Sequence, residues 1–244
     1  MRRYLIILMM PCFVMLFGIC CLAGCEGSRH HLKKVRLNEV AHSIFYAPQY
    51  VAIEKGYFEK EGIKLELTTG FGADKTATAV ISGDADIAFM GPEATIYQFN
   101  QGNADYLINF AQLTQRAGNF VVSREKEDSF KWEDLKGKKV IGGRPGGMPE
   151  MVFEYVLKKH GMNPQKDINL VQNIDFANTS GAFVSGEADY TVEFEPAATL
   201  IEEQGAGYVV ASVGKESGYV PYTAYSVKKS YLETHKELLE AFTR

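Results

Sequence analysis

An internal repeat constrains the fold of this chain more than any other feature of its sequence. The segment Tyr50–Gly56 reappears in related form at Tyr155–Gly161, an offset of 105 residues, and Ser82–Asp86 reappears at Ser185–Asp189, an offset of 103 residues. Around both pairs, short apolar strands alternate with helical patterns, which is typical of an α/β fold with a largely parallel sheet. Two copies in register predict two similar lobes. Because the acids of the second pair recur in both copies, we interpret them as a structural turn and not as catalytic groups.

Two further strands mark where the chain passes between the lobes. Leu107–Thr114 is interpreted as the passage into the second lobe, and Thr223–Val227 as the return to the first. Two passages predict a bilobed clamp with mainly parallel sheets and a two-strand hinge. A final helix is predicted at Lys229–Phe242. The predicted domains are lobe 1, residues 35–113 and 220–244, and lobe 2, residues 114–219.

A glycine-rich stretch in the second copy is the main indication of a ligand site. Lys138–Gly161 reads as a short strand, a turn with four glycines, and an amphipathic helix. The first amides of such a helix have no partner within the helix, so they predict a site for a polar or anionic ligand. The turn matches neither the P-loop pattern nor G-x-G-x-x-G, so a nucleotide is not indicated. A plain tight turn needs fewer glycines, which favours close approach of a ligand to the backbone.

The loops that face each other follow from the strand order. In parallel α/β sheets, ligands bind beyond the carboxyl ends of the strands, and here those loops give an aromatic and mixed-polar cleft without a metal cluster. No catalytic residue, metal ligand or cofactor is predicted. The candidate ligand-binding residues are Ser43, Phe45, Tyr46, Phe71, Gly91 and Glu93 in lobe 1, Arg144, Gly146, Gly147, Met148, Thr179, Glu193 and Glu195 in lobe 2, and Tyr222 near the return passage.

The charged candidates each have two interpretations. Arg144 either pairs with an anionic group of the ligand or is a solvated turn residue. Glu193 and Glu195 flank Phe194 on one strand; one of the acids is expected to face the cleft and bind an amine, while Phe194 points into the core. Alternatively, one of these acids stabilises the start of the next helix. The aromatic residues of the first loop either stack on a planar ligand or belong to the core.

The N-terminal segment carries a secretion signal. Arg2 and Arg3 precede an apolar run at Tyr4–Ile19 and then Leu22–Cys25, which has the sequence LAGC. A basic start, an apolar core and small residues before a cleavage point predict a signal peptide. The LAGC ending resembles the lipobox of bacterial lipoproteins, which implies removal of residues 1–24, lipidation of Cys25 and a polar tether at residues 25–34. The alternative is an uncleaved membrane anchor.

Composition limits the remaining function classes. The net charge is −4, so nucleic acid is not an expected partner. The mature chain is left without cysteines for a disulfide, and no Ser-His-Asp order or metal-ligand spacing is apparent. All four cysteines lie in the first 25 residues, at Cys12, Cys20, Cys21 and Cys25.

The chain from Val35 onwards resembles the SsuA/THI5-like (NMT1) substrate-binding proteins. The residues that carry the resemblance are Ser43–Ala52, Glu54–Phe58, Ser82–Ala88 and Asp134–Val140. The resemblance implies a type II periplasmic-binding-protein fold and a monomeric lipoprotein that delivers a thiamine-precursor pyrimidine, a sulfonate such as taurine, or nitrate to the permease and ATPase of an ABC importer. Members of the family usually continue past the last helix seen here, so a truncated chain is expected.

Two other functions stay open from the sequence. The THI5 branch of the same family forms a thiamine pyrimidine, so a pyrimidine-forming enzyme is one alternative. That activity depends on histidines and cysteines, and His42, His160 and His235 are far apart in this sequence. The other alternative is a sensory module that binds a ligand and docks to a membrane kinase.

Overall fold

The computed structural model describes residues 32–244, and the predicted signal peptide, Cys25 and most of the predicted tether lie outside the described residues. The first strand begins at Lys33, so the last two residues of the predicted tether are already part of the fold. The strands of the described part are β1 (Lys33–Glu39), β2 (Ile63–Thr69), β3 (Ile87–Met90), β4 (Leu107–Thr114), β5 (Asn119–Ser123), β6 (Lys139–Ile141), β7 (Asn169–Val171), β8 (Tyr190–Phe194), β9 (Tyr208–Ser212) and β10 (Thr223–Lys228).

Helices connect most of these strands. Single turns of 3₁₀ helix lie at Ile44–Tyr46, Trp132–Leu135 and Phe176–Asn178. The α-helices of the described part are α1 (Ala47–Glu54), α2 (Tyr57–Lys60), α3 (Ala73–Ser82), α4 (Glu93–Asn100), α5 (Met148–Lys159), α6 (Thr179–Val184), α7 (Ala197–Glu203), α8 (Val213–Ser217), α9 (Lys229–Thr234) and α10 (Lys236–Thr243).

The strands form two sheets with the same internal arrangement. The first has the order β2-β1-β3-β10-β4 and the second the order β7-β6-β8-β5-β9. In each sheet one strand runs against its two neighbours: β10 is antiparallel to β3 and β4, and β5 is antiparallel to β8 and β9. These reversed strands are the ones that enter directly from a passage between the lobes. The predicted fold of two similar α/β lobes is confirmed, with mixed sheets.

The two passages are bonded to each other and form the hinge. The Val220 amide donates to the Gln115 carbonyl at 2.9 Å, and the Tyr222 amide donates to the Thr114 carbonyl at 3.1 Å. Gly214 packs closely on the first passage, since a Cβ at this position would lie 2.0 Å from the Ala117 carbonyl oxygen. The hinge therefore has two hydrogen-bonded segments in direct backbone contact.

The repeated acidic turns have the same structural role in both lobes. Asp86 Oδ2 accepts a hydrogen bond from the Arg36 amide of the neighbouring strand at 2.8 Å, and Asp189 Oδ2 accepts one from the Lys139 amide at 2.8 Å. Each carboxylate thus ties the start of one strand to the adjacent parallel strand. This geometry supports the structural interpretation of the repeat.

Each lobe has its own apolar core. In lobe 1, Val35, Leu37, Ile63 and Phe89 are fully buried, and in lobe 2, Val140, Phe153 and Val156 are. Both β3 and β8 are buried along their whole length, as expected for strands covered on both faces.

The predicted last helix is divided into α9 and α10 at His235. The Thr234 hydroxyl donates to the Ser230 carbonyl at 2.8 Å. A threonine that bonds back to the preceding turn tends to bend a helix, which accounts for the break.

The described residues also bear on whether the chain spans a membrane or holds a metal ion. Between residues 32 and 244, no helix is long and apolar enough to cross a membrane. In the same part of the chain, no group of three or more histidine, cysteine, aspartate and glutamate residues is placed to hold a metal ion.

Candidate ligand-binding site

A cavity of about 650 Å³ lies between the two lobes, and residues of both lobes line it. Every predicted site residue except Glu193 and Glu195 is part of its wall. These residues are Ser43, Phe45, Tyr46, Phe71, Gly91, Glu93, Arg144, Gly146, Gly147, Met148, Thr179 and Tyr222.

The prediction that Glu193 or Glu195 faces the cleft is wrong. Along β8, Val192 and Phe194 line the cavity, whereas Glu193 is buried on the opposite side. Glu195 Oε2 accepts a hydrogen bond from the Thr199 amide at 3.1 Å and so caps the first turn of α7, as the alternative interpretation had it. The cavity here is walled by apolar side chains, so strand alternation places the acids away from it.

Glu193 is a structural acid behind the cavity wall. Its side chain is 2% exposed, and it accepts hydrogen bonds from the hydroxyls of Thr179 at 3.1 Å and Thr191 at 2.7 Å. Burial raises the pKa of Glu193 to about 7, against the lowering effect of the two hydroxyls. Thr179 lines the cavity, and its hydroxyl group donates to Glu193. Thr179 therefore links the cavity wall to this buried acid.

Three amides at the end of the glycine turn are already occupied. The Gly146 amide donates to Glu150 Oε2 at 3.1 Å, the Gly147 amide donates to the Arg144 carbonyl at 3.2 Å, and the Met148 amide donates to Glu93 Oε1 at 3.1 Å. The place predicted for an anionic ligand therefore holds two of the protein's own carboxylates. Local sequence does not indicate the contact of Glu93, because this residue comes from the other lobe.

The glycines of this turn are explained by backbone geometry and packing. Gly143 and Gly146 have φ values of 98° and 71°, in the left-handed region that favours glycine. Gly142 packs against Leu170, whose Cδ1 lies 2.4 Å from the place of a Cβ. Close approach of a ligand is not required to account for these three positions.

Glu93 is the central charged group of the cavity. It is the first residue of α4, its side chain is 4% exposed, and burial raises its pKa to about 7. Gly91 leaves room for this carboxylate, since a Cβ at that position would lie 2.0 Å from Glu93 Oε2. Among the described residues, Glu93 Oε2 has no hydrogen-bond partner. This oxygen is both buried and unpaired, so a ligand can bond to it once the carboxylate turns towards the cavity.

Aromatic rings from both lobes form the base of the cavity. The Phe45 ring lies 5.4 Å from that of Phe194 and 5.7 Å from that of Tyr222, and Phe176 lies 5.6 Å from Phe194. Phe45 reaches across to the hinge, where Gly118 gives it room: a Cβ at Gly118 would lie 2.3 Å from the ring. Phe194, predicted to point into the core, is buried but contributes to this wall.

Contacts between the lobes also occur at the rim of the cavity. Tyr97 Oη donates to the Gly146 carbonyl at 3.0 Å, and Arg144 Nη1 lies 3.7 Å from Asp74 Oδ1. Phe71, which is 72% exposed, has φ 57°, a strained value for a bulky residue. The sequence identified Arg144 and Phe71 but missed Tyr97, whose position on the cleft side depends on how α4 is rotated.

A buried carboxylate at the end of β1 positions the first cleft loop. Glu39 accepts hydrogen bonds from Gln49 Nε2 at 3.0 Å, Tyr50 Oη at 2.9 Å and Thr69 Oγ1 at 3.2 Å, and His42 Nδ1 lies 2.9 Å from it. These contacts connect β1, β2 and α1 around the loop that carries Phe45. The sequence did not indicate this role for Glu39, since its partners are spread over thirty residues.

Two α/β lobes, a two-segment hinge and a cavity walled by both lobes define a two-lobed protein of the periplasmic-binding-protein type. A model of the NMT1/THI5-like family matches residues 44–244. The chain belongs to this family.

Known proteins of several bacteria are similar to the chain. The "Putative binding protein YtlA" of Bacillus subtilis (strain 168) is 50% identical over 233 residues, which are 96% of this chain and 70% of that protein. Among solved structures, the periplasmic aliphatic sulphonate binding protein SsuA of Escherichia coli matches with a TM-score of 0.67 at 18% identity, over 86% of this chain and 70% of that one. The periplasmic nitrate-binding protein NrtA of Synechocystis PCC 6803 matches with a TM-score of 0.66 at 19% identity, over 86% of this chain and 59% of that one. All three are described as binding proteins, and the two structures show the shared fold.

Proposed function

We propose that this protein is the extracytoplasmic solute-binding component of an ABC importer. The observation that carries the proposal is the cavity of about 650 Å³ between two hinged lobes, lined by both of them. Its volume suits a small organic molecule. The ligand classes considered are a thiamine-precursor pyrimidine, a sulfonate such as taurine, and nitrate; sulphonate and nitrate are what the names of SsuA and NrtA state for those proteins.

The mechanism is a shift in the population of lobe arrangements. A ligand that contacts Phe45 and Glu93 in lobe 1 and Phe194 in lobe 2 stabilises the closed arrangement more than the open one. The hydrogen-bonded hinge restricts the motion to a rotation of one lobe against the other. The permease and ATPase then act on the closed, loaded form.

The anchoring and the lobe boundaries belong to the same proposal. Leu22–Cys25 supports a lipid anchor on Cys25, with the mature monomer held at the outer face of the cytoplasmic membrane. The hinge segments support lobe 1 at residues 35–113 and 220–244 and lobe 2 at residues 114–219. Labelling with radioactive palmitate tests the anchor, because Cys25→Ala removes the labelled residue and is expected to abolish incorporation.

Ligand capture is tested with the purified full chain in detergent. Native mass spectrometry is expected to find a small molecule that co-purifies, and adding it back after refolding is expected to raise Tm. At a ligand concentration of 100 Kd, binding stabilises the folded state by about 2.7 kcal/mol. Small-angle scattering is expected to show a more compact loaded form.

The outcome that contradicts the proposal is equally specific. If no ligand co-purifies and pyrimidines, sulfonates and nitrate all leave both Tm and the scattering curve unchanged, the chain is not a solute receptor. We also propose that binding occurs without turnover, so the released ligand should be chemically unchanged. A pyrimidine formed or altered on the protein would favour the enzyme alternative.

A further inference from the structure

We propose that Glu93 determines which ligands the cavity accepts: it selects a planar molecule that is neutral or positively charged and offers an N–H donor, and it rejects anions. This inference rests on the proposed receptor function and specifies its ligand class. It separates the present chain from receptors of the same fold that are named for sulphonate and nitrate.

The first support is that the usual place for an anion is filled from within the protein. Unpaired amides at the start of a helix attract negative charge, and α5 begins at the cavity. Its Met148 amide donates to Glu93 Oε1, and the Gly146 amide just before it donates to Glu150 Oε2. An anionic ligand would have to displace these carboxylates or lie beside them.

The second support is the distribution of charge over the cavity wall. Of the described residues in the wall, Glu93 is the one charged residue that is buried. The others, Asp74, Lys75, Arg144 and Asp175, are exposed at the rim. Water screens the rim charges, whereas the field of a buried carboxylate is only weakly screened. With Glu93 ionised, the interior of the cavity therefore favours positive charge and N–H donors.

The third support is that two of the buried polar atoms without a partner belong to residues of the cavity wall. In residues 32–244, Glu93 Oε2 and Tyr222 Oη make no hydrogen bond, although Glu93 is 4% and Tyr222 3% exposed. Burying such atoms unpaired is costly, so a ligand that pairs them gains binding energy. A molecule with an N–H group for Glu93 and an acceptor for Tyr222 fits both, and the aromatic base favours a flat ring.

The same carboxylate also connects charge recognition to closure. One oxygen of Glu93 bonds to lobe 2 through Met148, and the other is an unpaired atom of a side chain in the cavity wall. A positive ligand strengthens the charge on Glu93 and so strengthens its bond to Met148. An anion would do the opposite and weaken the closed arrangement.

The test uses two rings of matched shape and opposite charge. Benzamidine carries a planar cation and benzenesulfonate a permanent anion, and nitrate and 4-aminopyrimidine extend the comparison. For the full chain in detergent, Kd values are measured by ligand-observed NMR. We expect benzamidine and 4-aminopyrimidine to bind at least about tenfold more tightly than benzenesulfonate and nitrate, since hydrogen bonds to a charged group are the stronger ones.

The variant Glu93→Gln distinguishes specificity from a structural role. Glutamine keeps an oxygen for the Met148 amide and offers an NH₂ group to the cavity, so we expect benzamidine to bind roughly tenfold more weakly and benzenesulfonate to bind more tightly. Glu59→Gln, on an exposed position of α2, removes the same charge away from the cavity and should change neither Kd.

Each contradictory result has its own meaning. If the unaltered chain prefers benzenesulfonate or nitrate, the inference is overturned while the receptor proposal stands. If Glu93→Gln weakens the binding of both rings equally, Glu93 has only a structural role and the inference also fails. If no probe binds, the inference fails as well, and the receptor proposal is then judged separately by the co-purified molecule.

Discussion

Two buried glutamates, one in each lobe, differ in what surrounds their oxygen atoms. Glu93 and Glu193 are both almost fully buried, and burial raises the pKa of each to about 7. In lobe 2, two threonine hydroxyls donate to Glu193, so both of its oxygens are satisfied. In lobe 1, one oxygen of Glu93 bonds across the cleft and the other has no partner among the described residues. A buried acid alone therefore does not identify a ligand site; a buried acid in a cavity wall with an unsatisfied oxygen does.

The internal repeat shows how this difference arose from two similar halves. At the carboxyl end of β3 the chain has Gly91-Pro92-Glu93, and at the end of β8 it has Glu195-Pro196-Ala197. In lobe 1 the glycine makes room for the glutamate to fold towards the cavity. In lobe 2 the acid occupies the glycine's place and caps its own helix. The same turn thus carries its carboxylate inwards in one lobe and outwards in the other.

The largest expected effect on stability is that of Glu193→Ala. The substitution leaves the Thr191 hydroxyl without its acceptor, leaves Thr179 only the Phe176 carbonyl, and opens a space behind the cavity wall, so we expect the free energy of unfolding to fall by about 2–4 kcal/mol. Glu93→Ala, which removes an acid with one unpaired oxygen, should cost less than about 1 kcal/mol. Urea denaturation followed by circular dichroism measures both, and equal losses would remove the distinction between the two acids.

Gly91→Ala is expected to affect binding while leaving the fold intact. The new methyl group would overlap the Glu93 carboxylate, which sits at the end of a flexible side chain and can move away. We expect at least a tenfold loss of affinity for benzamidine, or about 1.4 kcal/mol, with little change in Tm. Gly181→Ala is the matched control, because nothing lies within 4 Å of its added Cβ. Unchanged affinity in Gly91→Ala would show that the position of Glu93 is not required.

The arrangement of lobes and loops was predictable from the sequence because it depends on local order. The repeat fixes two copies of the same strand–helix succession, and in such a succession the carboxyl ends of the strands meet at one edge. For that reason the sequence alone predicts that the loops carrying Phe45, Phe71, Glu93 and Arg144 lie at the cavity.

The orientation of individual side chains was not predictable in the same way. Strand β8 is buried on both faces. Its sequence therefore does not alternate between solvent-exposed and buried positions, and it does not indicate which of Glu193 and Phe194 faces the cavity. The prediction assumed that acids turn towards the cleft, but a pair of threonines satisfies Glu193 on the other side. Likewise, the acceptor for the Met148 amide is 55 residues away in the chain, beyond the reach of any local pattern.

The pH dependence of stability distinguishes the contribution of Glu93 from that of Glu193 when a ligand is bound. Each pKa is raised from 4.5 to about 7, so between these values the folded state holds protons that the unfolded state has lost. Stability from both groups is therefore fully present below about pH 4.5 and is lost as the pH rises through about 7. We expect Tm of the free protein to fall between about pH 4.5 and pH 7, and either Glu→Gln variant to remove part of this slope, to which Glu150 also contributes.

Saturating benzamidine should abolish only the contribution of Glu93 to the pH dependence of Tm. A bound cation keeps Glu93 ionised at lower pH, whereas Glu193 has no contact with the cavity. The slope that remains with benzamidine should thus be smaller in Glu193→Gln and unchanged in Glu93→Gln, and Glu150, whose pKa burial also raises to about 7, supplies what is left. A slope that benzamidine leaves unchanged would contradict contact between this cation and Glu93.

The smallest expected effect concerns the repeated acidic turns, where the lobes are most alike. Both Asp86 and Asp189 accept a hydrogen bond from the amide of a neighbouring strand, but Asp86 also accepts from Arg36 Nη2 at 2.6 Å and Nε at 3.2 Å. An asparagine keeps the acceptor for the amide and loses the ion pair. Because this pair is partly exposed, Asp86→Asn should cost about 1 kcal/mol and Asp189→Asn only about 0.3 kcal/mol. If urea denaturation gives equal costs, the arginine adds nothing, and the two turns are equivalent in energy as well as in sequence.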